Sequence, residues 1–176
     1  CNVDVFFALS HGVHRGVLKS GKIDDRITFL KKLSANTPDV KFDLYGIDKV
    51  QPIWADQYFK TISNAKMGLN LSRGNAIKYY SSDRITQIVG NGLVCLIDEK
   101  TQYRDFFDNS EMVFYKNIND LSEKILKVSR DEKLRKSIAF KGKQKYMKYF
   151  NSTLVADFII NKTLGRNIKT KYLWDK

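Results

Sequence analysis

Residues 78–98 read Lys78-Tyr-Tyr-Ser-Ser-Asp-Arg-Ile-Thr-Gln-Ile-Val-Gly-Asn-Gly-Leu-Val-Cys-Leu-Ile-Asp98, a polar loop, a helix and then a buried strand. The helix is predicted to open at Ser81, Ser82 and Asp83, to stop at 90–92, and to be followed by a strand over 93–97. Lys78 precedes this helix and Arg84 lies in its first turn. Free backbone N–H groups and the positive end of the helix dipole meet there, so this helix start predicts an anion-binding site.

Apolar runs alternate with helical patterns on both sides of this segment. Strands are predicted at 4–9, 41–47, 67–72, 93–97 and 112–115, with helices from Asp24, over 54–64 and after Ser82 between them. From Asp120 the pattern is helical, with a capping box at 120–123 and further helices at about 132–149 and 153–164. The alternation predicts an α/β fold, a Rossmann-like doubly wound parallel sheet of about five or six strands with a C-terminal helical run. We expect one domain over 1–164 and a loose tail over 165–176.

In such a sheet, ligands bind beyond the carboxyl ends of the strands. The loops after the first and third predicted strands are rich in cations, glycines and aromatic residues, which favours a phosphorylated ligand with a stackable ring. The candidate ligand-binding residues in these loops are His14, Arg15, Lys19, Ser72, Arg73, Gly74, Lys78, Tyr80, Ser81 and Ser82, with Arg84 on the following helix. For His14, contact with phosphate, general base catalysis and a structural role all stay open. Tyr79 and Tyr80 are interpreted as core or lid residues in preference to base-stacking residues. Trp54 is interpreted as a packing residue.

The chain of 176 residues carries a net charge of +12, with a local excess of lysine and arginine at 124–148. Such density on amphipathic helices is typical of a solvated face, and the alternative is contact with an anionic membrane surface. We expect no nucleic-acid partner, because no RNP, KH, helix-turn-helix or zinc-finger signature is present. A non-catalytic basic α/β module that binds nucleic acid or an anionic surface nevertheless remains the alternative function.

No apolar run is long enough to span a membrane, and the first residues lack the basic region of a signal peptide. The two cysteines, Cys1 and Cys95, form neither a metal-ligand pattern nor a disulfide framework, and Cys95 is expected to be buried in a strand. No Asp-x-Asp element marks a metal site. We therefore expect a cytoplasmic protein without a bound metal, and we interpret the start without methionine as that of a fragment.

The combined pattern resembles the C-terminal domain of GT-B glycosyltransferases, and most closely the family 1-like group that includes CgeB-like proteins. The corresponding segments are Met67-Gly-Leu-Asn-Leu-Ser72, Ser82-Asp-Arg84, Gly90-Asn-Gly92 and Leu93-Val-Cys-Leu-Ile97, followed by residues 120–135. The resemblance covers roughly residues 4–160.

This resemblance implies a transferase domain that binds a nucleotide-diphosphate sugar as substrate, without a separate cofactor or a metal. It further implies a role in glycan or cell-envelope biosynthesis, possible only with an N-terminal acceptor domain that is missing here. Arg84 and the helix start would then meet the diphosphate, with Arg15 and Lys19 as a second cationic arm. The glutamate that holds the ribose hydroxyls in that family corresponds to Gln87, whose neutral amide lacks the charge of a carboxylate.

Overall fold

The computed structural model describes residues 1–9, 24–80, 82–168 and 170–175. In these residues five parallel strands form one sheet, in the order β2-β1-β3-β4-β5. The strands are β1 (Val3–Ala8), β2 (Phe42–Tyr45), β3 (Ala65–Asn70), β4 (Val94–Asp98) and β5 (Val113–Tyr115). The predicted doubly wound α/β sheet is confirmed.

Six α-helices accompany the sheet in the described part of the chain. They are α1 (Asp25–Asn36), α2 (Ala55–Ile62), α3 (Asp83–Gly90), α4 (Ile118–Arg130), α5 (Glu132–Tyr149) and α6 (Ser152–Thr163). Two short 3₁₀ turns, Glu99–Thr101 and Tyr103–Asp105, follow β4. The predicted helices after Asp24, over 54–64 and after Ser82 are all present, and so is the C-terminal helical run.

The sheet is covered on both faces, which is why most of its strand positions are apolar. Adjacent strand residues point to opposite faces, so that Phe6 and Phe7 belong to different clusters of buried side chains. Phe7 packs with Leu30 of α1 and Leu121 of α4 on one face. On the other face, Phe6 packs in one cluster with residues of α2 and α3. The two clusters together form the core.

Helix α5 passes the amino ends of β4 and β5. Its residue Ile138 belongs to the cluster on the α1 and α4 face, whereas Tyr146 belongs to the cluster on the opposite face. Between them, Gly142 lies against the backbone carbonyl of Glu111, which stands just before β5, and a Cβ at this glycine would overlap that carbonyl. The helix therefore lies at the amino-end edge of the sheet, opposite to the carboxyl ends of the strands.

Helix α4 begins earlier than predicted, and the capping box at 120–123 is wrong. Asn117 is the N-cap residue, and its side-chain oxygen accepts hydrogen bonds from the backbone N–H groups of Asn119 and Asp120. The carboxylate of Asp120 instead accepts from the Lys116 backbone N–H at 2.8 Å and from Lys124 Nζ at 2.7 Å. An asparagine in extended conformation thus replaces the predicted pairing of Asp120 with Glu123.

The end of the chain is better packed than a loose tail. Tyr172 is only 4% exposed, and its hydroxyl donates to the Asp157 carboxylate of α6. The Trp174 ring lies 5.4 Å from that of Phe150. These aromatic contacts fasten residues 172–174 to the helical run.

Candidate functional site

Arg84 lies at the point where the order of the strands reverses, between β1 and β3. In a parallel sheet of this order, the crevice beyond the carboxyl ends of these two strands is the usual ligand site. The guanidinium lies over the ring of Phe7 in β1, with Cζ 5.0 Å from the ring centroid. Its Nη1 donates to the Leu71 carbonyl, just after β3, at 3.2 Å. Arg84 therefore joins both sides of the switch point.

The charge on Arg84 is not compensated by a carboxylate in the described residues, where no ion pair involves it. Burial lowers the pKa of its guanidinium, and the nearby positive charge of Arg26 lowers it further. Both effects disfavour the charged form. A bound anion would reverse them, and this makes the site electrostatically suited to a phosphate group.

Two cavities meet at Arg84. The first, called the aromatic cavity here, has a volume of about 320 Å³ and is lined by Ala8, Leu9, Ile53, Trp54, Ala55, Tyr58, Phe59, Asp83, Arg84 and Gln87. Trp54 is 62% exposed and Phe59 is 54% exposed. The Tyr58 ring is held edge-on against Phe6, with the ring centroids 5.3 Å apart. This cavity offers aromatic faces for a planar ligand.

The second cavity, called the arginine cavity here, has a volume of about 410 Å³. It is lined by Arg26, Ser72, Arg73, Asn75, Ile77, Tyr80, Ser82 and Arg84. Three guanidinium groups and three hydroxyl groups thus border one space. Guanidinium groups bind phosphate oxygens through paired hydrogen bonds, and this composition is that of an anion site.

Arg26 is fixed by a buried carboxylate. Asp24, which is fully buried, caps α1 by accepting the Arg26 backbone N–H at 3.0 Å. The same carboxylate accepts from Arg26 Nε at 2.9 Å and from Nη2 at 2.5 Å. The capping role of Asp24 follows from the sequence, whereas Arg26 was not among the predicted site residues, although an arginine two residues after the cap was a visible signal.

The start of α3 has no side-chain cap among the described residues. Ser82 is the N-cap residue, yet its side chain makes no capping bond. Its Oγ donates instead to Oδ1 of Asn70, the buried last residue of β3, at 2.9 Å. Within the described residues, the N–H groups of the first turn therefore lack the side-chain acceptor that usually satisfies one of them.

Of the eight predicted site residues that the structure describes, six border the two cavities. Ser72, Arg73, Tyr80, Ser82 and Arg84 border the arginine cavity, and Gln87 borders the aromatic one. Gly74 has a φ of +70° in the loop between two of the lining residues. Lys78 does not line either cavity, and its Nζ lies 4.8 Å from the Tyr79 ring centroid. His14, Arg15, Lys19 and Ser81 lie outside the described residues.

The interpretation of the aromatic residues is corrected in part. Tyr79 is a packing residue, since its ring lies 4.9 Å from that of Phe106 and its hydroxyl donates to the Asp105 carboxylate. That bond and burial raise the pKa of Tyr79. The packing role expected for Trp54 is wrong, because its exposed ring borders the aromatic cavity. Its position at the start of a short helix gave no signal of exposure.

The described residues give no indication of a metal site, a cysteine nucleophile or a membrane-spanning helix. No three histidine, cysteine, aspartate or glutamate side chains there are grouped as a metal site. Cys95 is buried in β4, as expected, and burial raises the pKa of its thiol to about 12, so it is not a nucleophile. None of the helices among the described residues combines the length and apolarity needed to cross a bilayer.

A doubly wound α/β sheet with a cation-lined crevice at its switch point is a common architecture of ligand-binding proteins, and comparison with known proteins identifies the family. A family described as glycosyl transferase-like matches residues 26–161. The match spans most of the sequence, and the chain belongs to this glycosyltransferase-like family. No curated protein sequence matches it.

Solved structures show the same fold. The crystal structure of TarM aligns with a TM-score of 0.63 at 14% identity, over 90% of this chain and 34% of TarM. An α1,3-fucosyltransferase aligns with a TM-score of 0.59 at 12% identity, over 80% of this chain and 38% of that protein. A variant of S. aureus TarM in complex with fondaparinux, α-GlcNAc-glycerol and UDP aligns with a TM-score of 0.58 at 14% identity, over 77% of this chain and 31% of that one.

These similarities confirm the predicted resemblance, since the fold is that of a Rossmann-like domain of GT-B glycosyltransferases. The chain spans about a third of the length of each of these structures.

Proposed function

We propose that this chain is the donor-binding part of a glycosyltransferase and that the crevice around Arg84 binds a nucleotide-diphosphate sugar. One observation carries the proposal. A partly buried cation without an acidic partner in the described residues stands between an aromatic and an arginine-rich cavity, at the switch point of the sheet. A nucleoside diphosphate has matching parts, a planar base next to a compact double anion.

The diphosphate occupies the arginine cavity in this proposal. Arg84 and Arg73 supply the guanidinium donors, and the N–H groups at the start of α3 supply neutral donors. Arg26 borders the same cavity, with its charge balanced by Asp24. When the bond to the sugar breaks, negative charge grows on the departing diphosphate. Fixed cations and a helix N-terminus stabilise that charge without a metal ion. Arg15 and Lys19 remain proposed as a second cationic arm, and His14 remains proposed as a contact for phosphate or sugar hydroxyls.

The nucleoside occupies the aromatic cavity. Trp54 and Phe59 offer exposed rings on which a base can stack, and Gln87 stands on the same wall for the ribose. A glutamine can donate one hydrogen bond and accept another, so it suits two adjacent hydroxyl groups without adding charge near the diphosphate. The cavity volume of about 320 Å³ lies at the lower end of the range for ligand pockets.

The acceptor is proposed to bind outside this chain. The TarM and fucosyltransferase structures are roughly three times as long as the part that aligns here. We propose a further acceptor-binding region, action on a glycan of the cell envelope, and a location in the cytoplasm, peripheral to the inner face of the membrane.

A thermal-shift screen tests the proposal. The chain is melted with the diphosphates of uridine, guanosine, adenosine, cytidine and thymidine, with their sugar conjugates, with the monophosphates and with inorganic pyrophosphate. We expect one base to be preferred, and its diphosphate to raise the melting temperature more than its monophosphate does.

The alternative function predicts a different result. A basic nucleic-acid-binding module would be stabilised by an oligonucleotide in a steeply salt-dependent manner and would ignore every nucleoside diphosphate. That outcome would remove the donor-binding proposal.

A further inference from the structure

The outward face of α5 carries exposed apolar side chains between lysines. Phe140 is 61% exposed and Met147 is 46% exposed. They are seven residues apart, about two helical turns, and so lie on the same side of the helix. The exposed lysines are also spaced by seven, with Lys136 and Lys143 on one flank and Lys141 and Lys148 on the other. We call Lys133 together with these six residues the α5 basic stripe.

The charge of this helix is large for its size. Its 18 residues contain seven basic residues and one acidic residue, Glu132, a net of +6 out of the +12 of the whole chain. Within the described residues, Lys133, Lys141 and Lys143 take part in no ion pair, and Lys136 pairs with Glu132 at 2.6 Å. Most of the positive charge on this face is therefore available to an external partner.

The α5 basic stripe lies at the opposite end of the sheet from the donor crevice. The inner side of α5 is set by Gly142 against Glu111, at the amino ends of the strands. Arg84 and both cavities lie beyond the carboxyl ends. A partner on the stripe would therefore leave the crevice open to a soluble nucleotide.

We propose that the α5 basic stripe docks on an anionic phospholipid bilayer, a function that does not depend on the donor site. Lysines attract the negative surface, while Phe140 and Met147 enter the boundary between headgroups and acyl chains. The long lysine stems can lie along the apolar side chains and keep their charges at the headgroups. Nucleic acid is a poorer fit, because the only arginine of α5, Arg135, has a side chain just 13% exposed and arginine is the usual reader of nucleic acids.

Vesicle co-sedimentation tests this proposal at physiological salt. The chain is mixed with vesicles of phosphatidylcholine and phosphatidylglycerol, and in parallel with phosphatidylcholine alone. We expect binding to the anionic vesicles only. Lys133→Gln/Lys141→Gln/Lys143→Gln should weaken it by about a hundredfold, from roughly fivefold for each lysine. Phe140→Gln/Met147→Gln leaves the charge unchanged and should also weaken binding, because the apolar contact with the bilayer is lost. The binding that remains should be more sensitive to salt.

The matched control removes the same charge elsewhere. Lys32→Gln/Lys49→Gln/Lys60→Gln has the same net charge as the triple variant and leaves α5 intact, so it should retain most of the binding. Melting temperatures verify that each variant is folded. Equal losses in the control and in the stripe variant would overturn the proposal, as would equal binding to both vesicle types. It would also be overturned if Phe140→Gln/Met147→Gln left vesicle binding unchanged while the stripe lysines proved necessary for binding a single-stranded RNA.

Discussion

At the scale of single residues, the sequence predicts Arg84 as a candidate ligand-binding residue but not the residues that surround it. The serines, the aspartate and the arginine that open α3 are adjacent in sequence, and helix capping rules identify them. Arg26 and Trp54 come from distant segments, and the fold alone brings them to the same crevice. Local rules describe hydrogen bonds within a few residues, so they cannot reveal which loops meet.

Trp54→Ala tests the assignment of the aromatic cavity. If the base stacks on this ring, the binding free energy of the preferred nucleoside diphosphate should fall by roughly 1–3 kcal/mol. Stability should hardly change, because the side chain is 62% exposed. Calorimetric titration provides the affinity. Phe140→Ala, which removes a similarly exposed ring on α5, serves as the control, and an equal effect of both variants would exclude stacking on Trp54.

Tyr115→Phe tests a buried group without a partner. The Tyr115 hydroxyl is buried at the end of β5 and has no hydrogen-bond partner among the described residues. Burial raises the pKa of this hydroxyl, and the negative charge of Asp98 adds to the effect. Removing an unsatisfied hydroxyl should raise the free energy of unfolding by about 1 kcal/mol.

Tyr146→Phe is the matched control for that substitution. The Tyr146 hydroxyl is also buried but shares a hydrogen bond of 2.8 Å with Thr86 Oγ1. Its loss should lower the free energy of unfolding by about 1 kcal/mol. Urea denaturation measures both. A decrease for both variants would mean that the Tyr115 hydroxyl is hydrogen-bonded in solution.

At the scale of elements, predictions succeed where one signal dominates. Helix α5 begins and ends where the sequence predicts, because Asp131 caps it by accepting the Leu134 backbone N–H at 2.8 Å. Helix α4 has two competing start signals, Asn117 and the 120–123 segment, and the one closer to β5 prevails. The path of α5 under the sheet rests on the contact of Gly142 with Glu111, which no local pattern records.

Gly142→Ala tests this path. The added Cβ would overlap a backbone carbonyl, which cannot move as a side chain can. Overpacking of this kind costs roughly 1–3 kcal/mol, and the better helix propensity of alanine recovers up to about 1 kcal/mol. We expect a net decrease in the free energy of unfolding, measured by urea denaturation. Gln144→Ala, on the exposed side of the same helix, should change it by less than about 0.5 kcal/mol. A stabilised Gly142→Ala variant would contradict the close approach.

At the scale of the whole molecule, the alternation of strands and helices is sufficient to predict the fold. The strand order is not evident in this alternation, and it is the strand order that places the crevice between β1 and β3. The net charge of +12 is visible in the composition, but its distribution between the Arg84 crevice and the α5 basic stripe requires the three-dimensional structure.

The response to acid follows from ion pairs that join distant segments. The Asp4 carboxylate accepts from Lys66 Nζ at 2.6 Å and from the Lys41 backbone N–H at 2.9 Å. Burial alone would raise the pKa of Asp4, but these bonds outweigh it and hold the pKa below its ordinary value of 3.8. Because the folded pKa is the lower one, this stabilisation is fully present above about pH 4 and is lost as the pH falls through the folded pKa.

Asp4→Asn should therefore lower the free energy of unfolding at neutral pH by about 1.5 kcal/mol and reduce its dependence on pH below 4. Denaturation curves at several pH values measure this. Asp39→Asn removes a carboxylate that is 79% exposed, 3.7 Å from Arg130, and should have little effect. If the free energy of unfolding of Asp4→Asn depended on pH below 4 as steeply as that of the unmodified chain, other carboxylates would govern the response to acid.

Calorimetric titration of the preferred nucleoside diphosphate into the chain and into Arg84→Ala tests the proposed donor site most directly. The guanidinium has no carboxylate partner among the described residues and joins both cavities, so its loss should weaken diphosphate binding by roughly 1.5–3 kcal/mol while the melting temperature stays nearly unchanged. The monophosphate should lose less. Unchanged diphosphate affinity in a folded Arg84→Ala variant, or a collapse of its melting temperature with affinity intact, would show that Arg84 is structural and that the donor binds elsewhere.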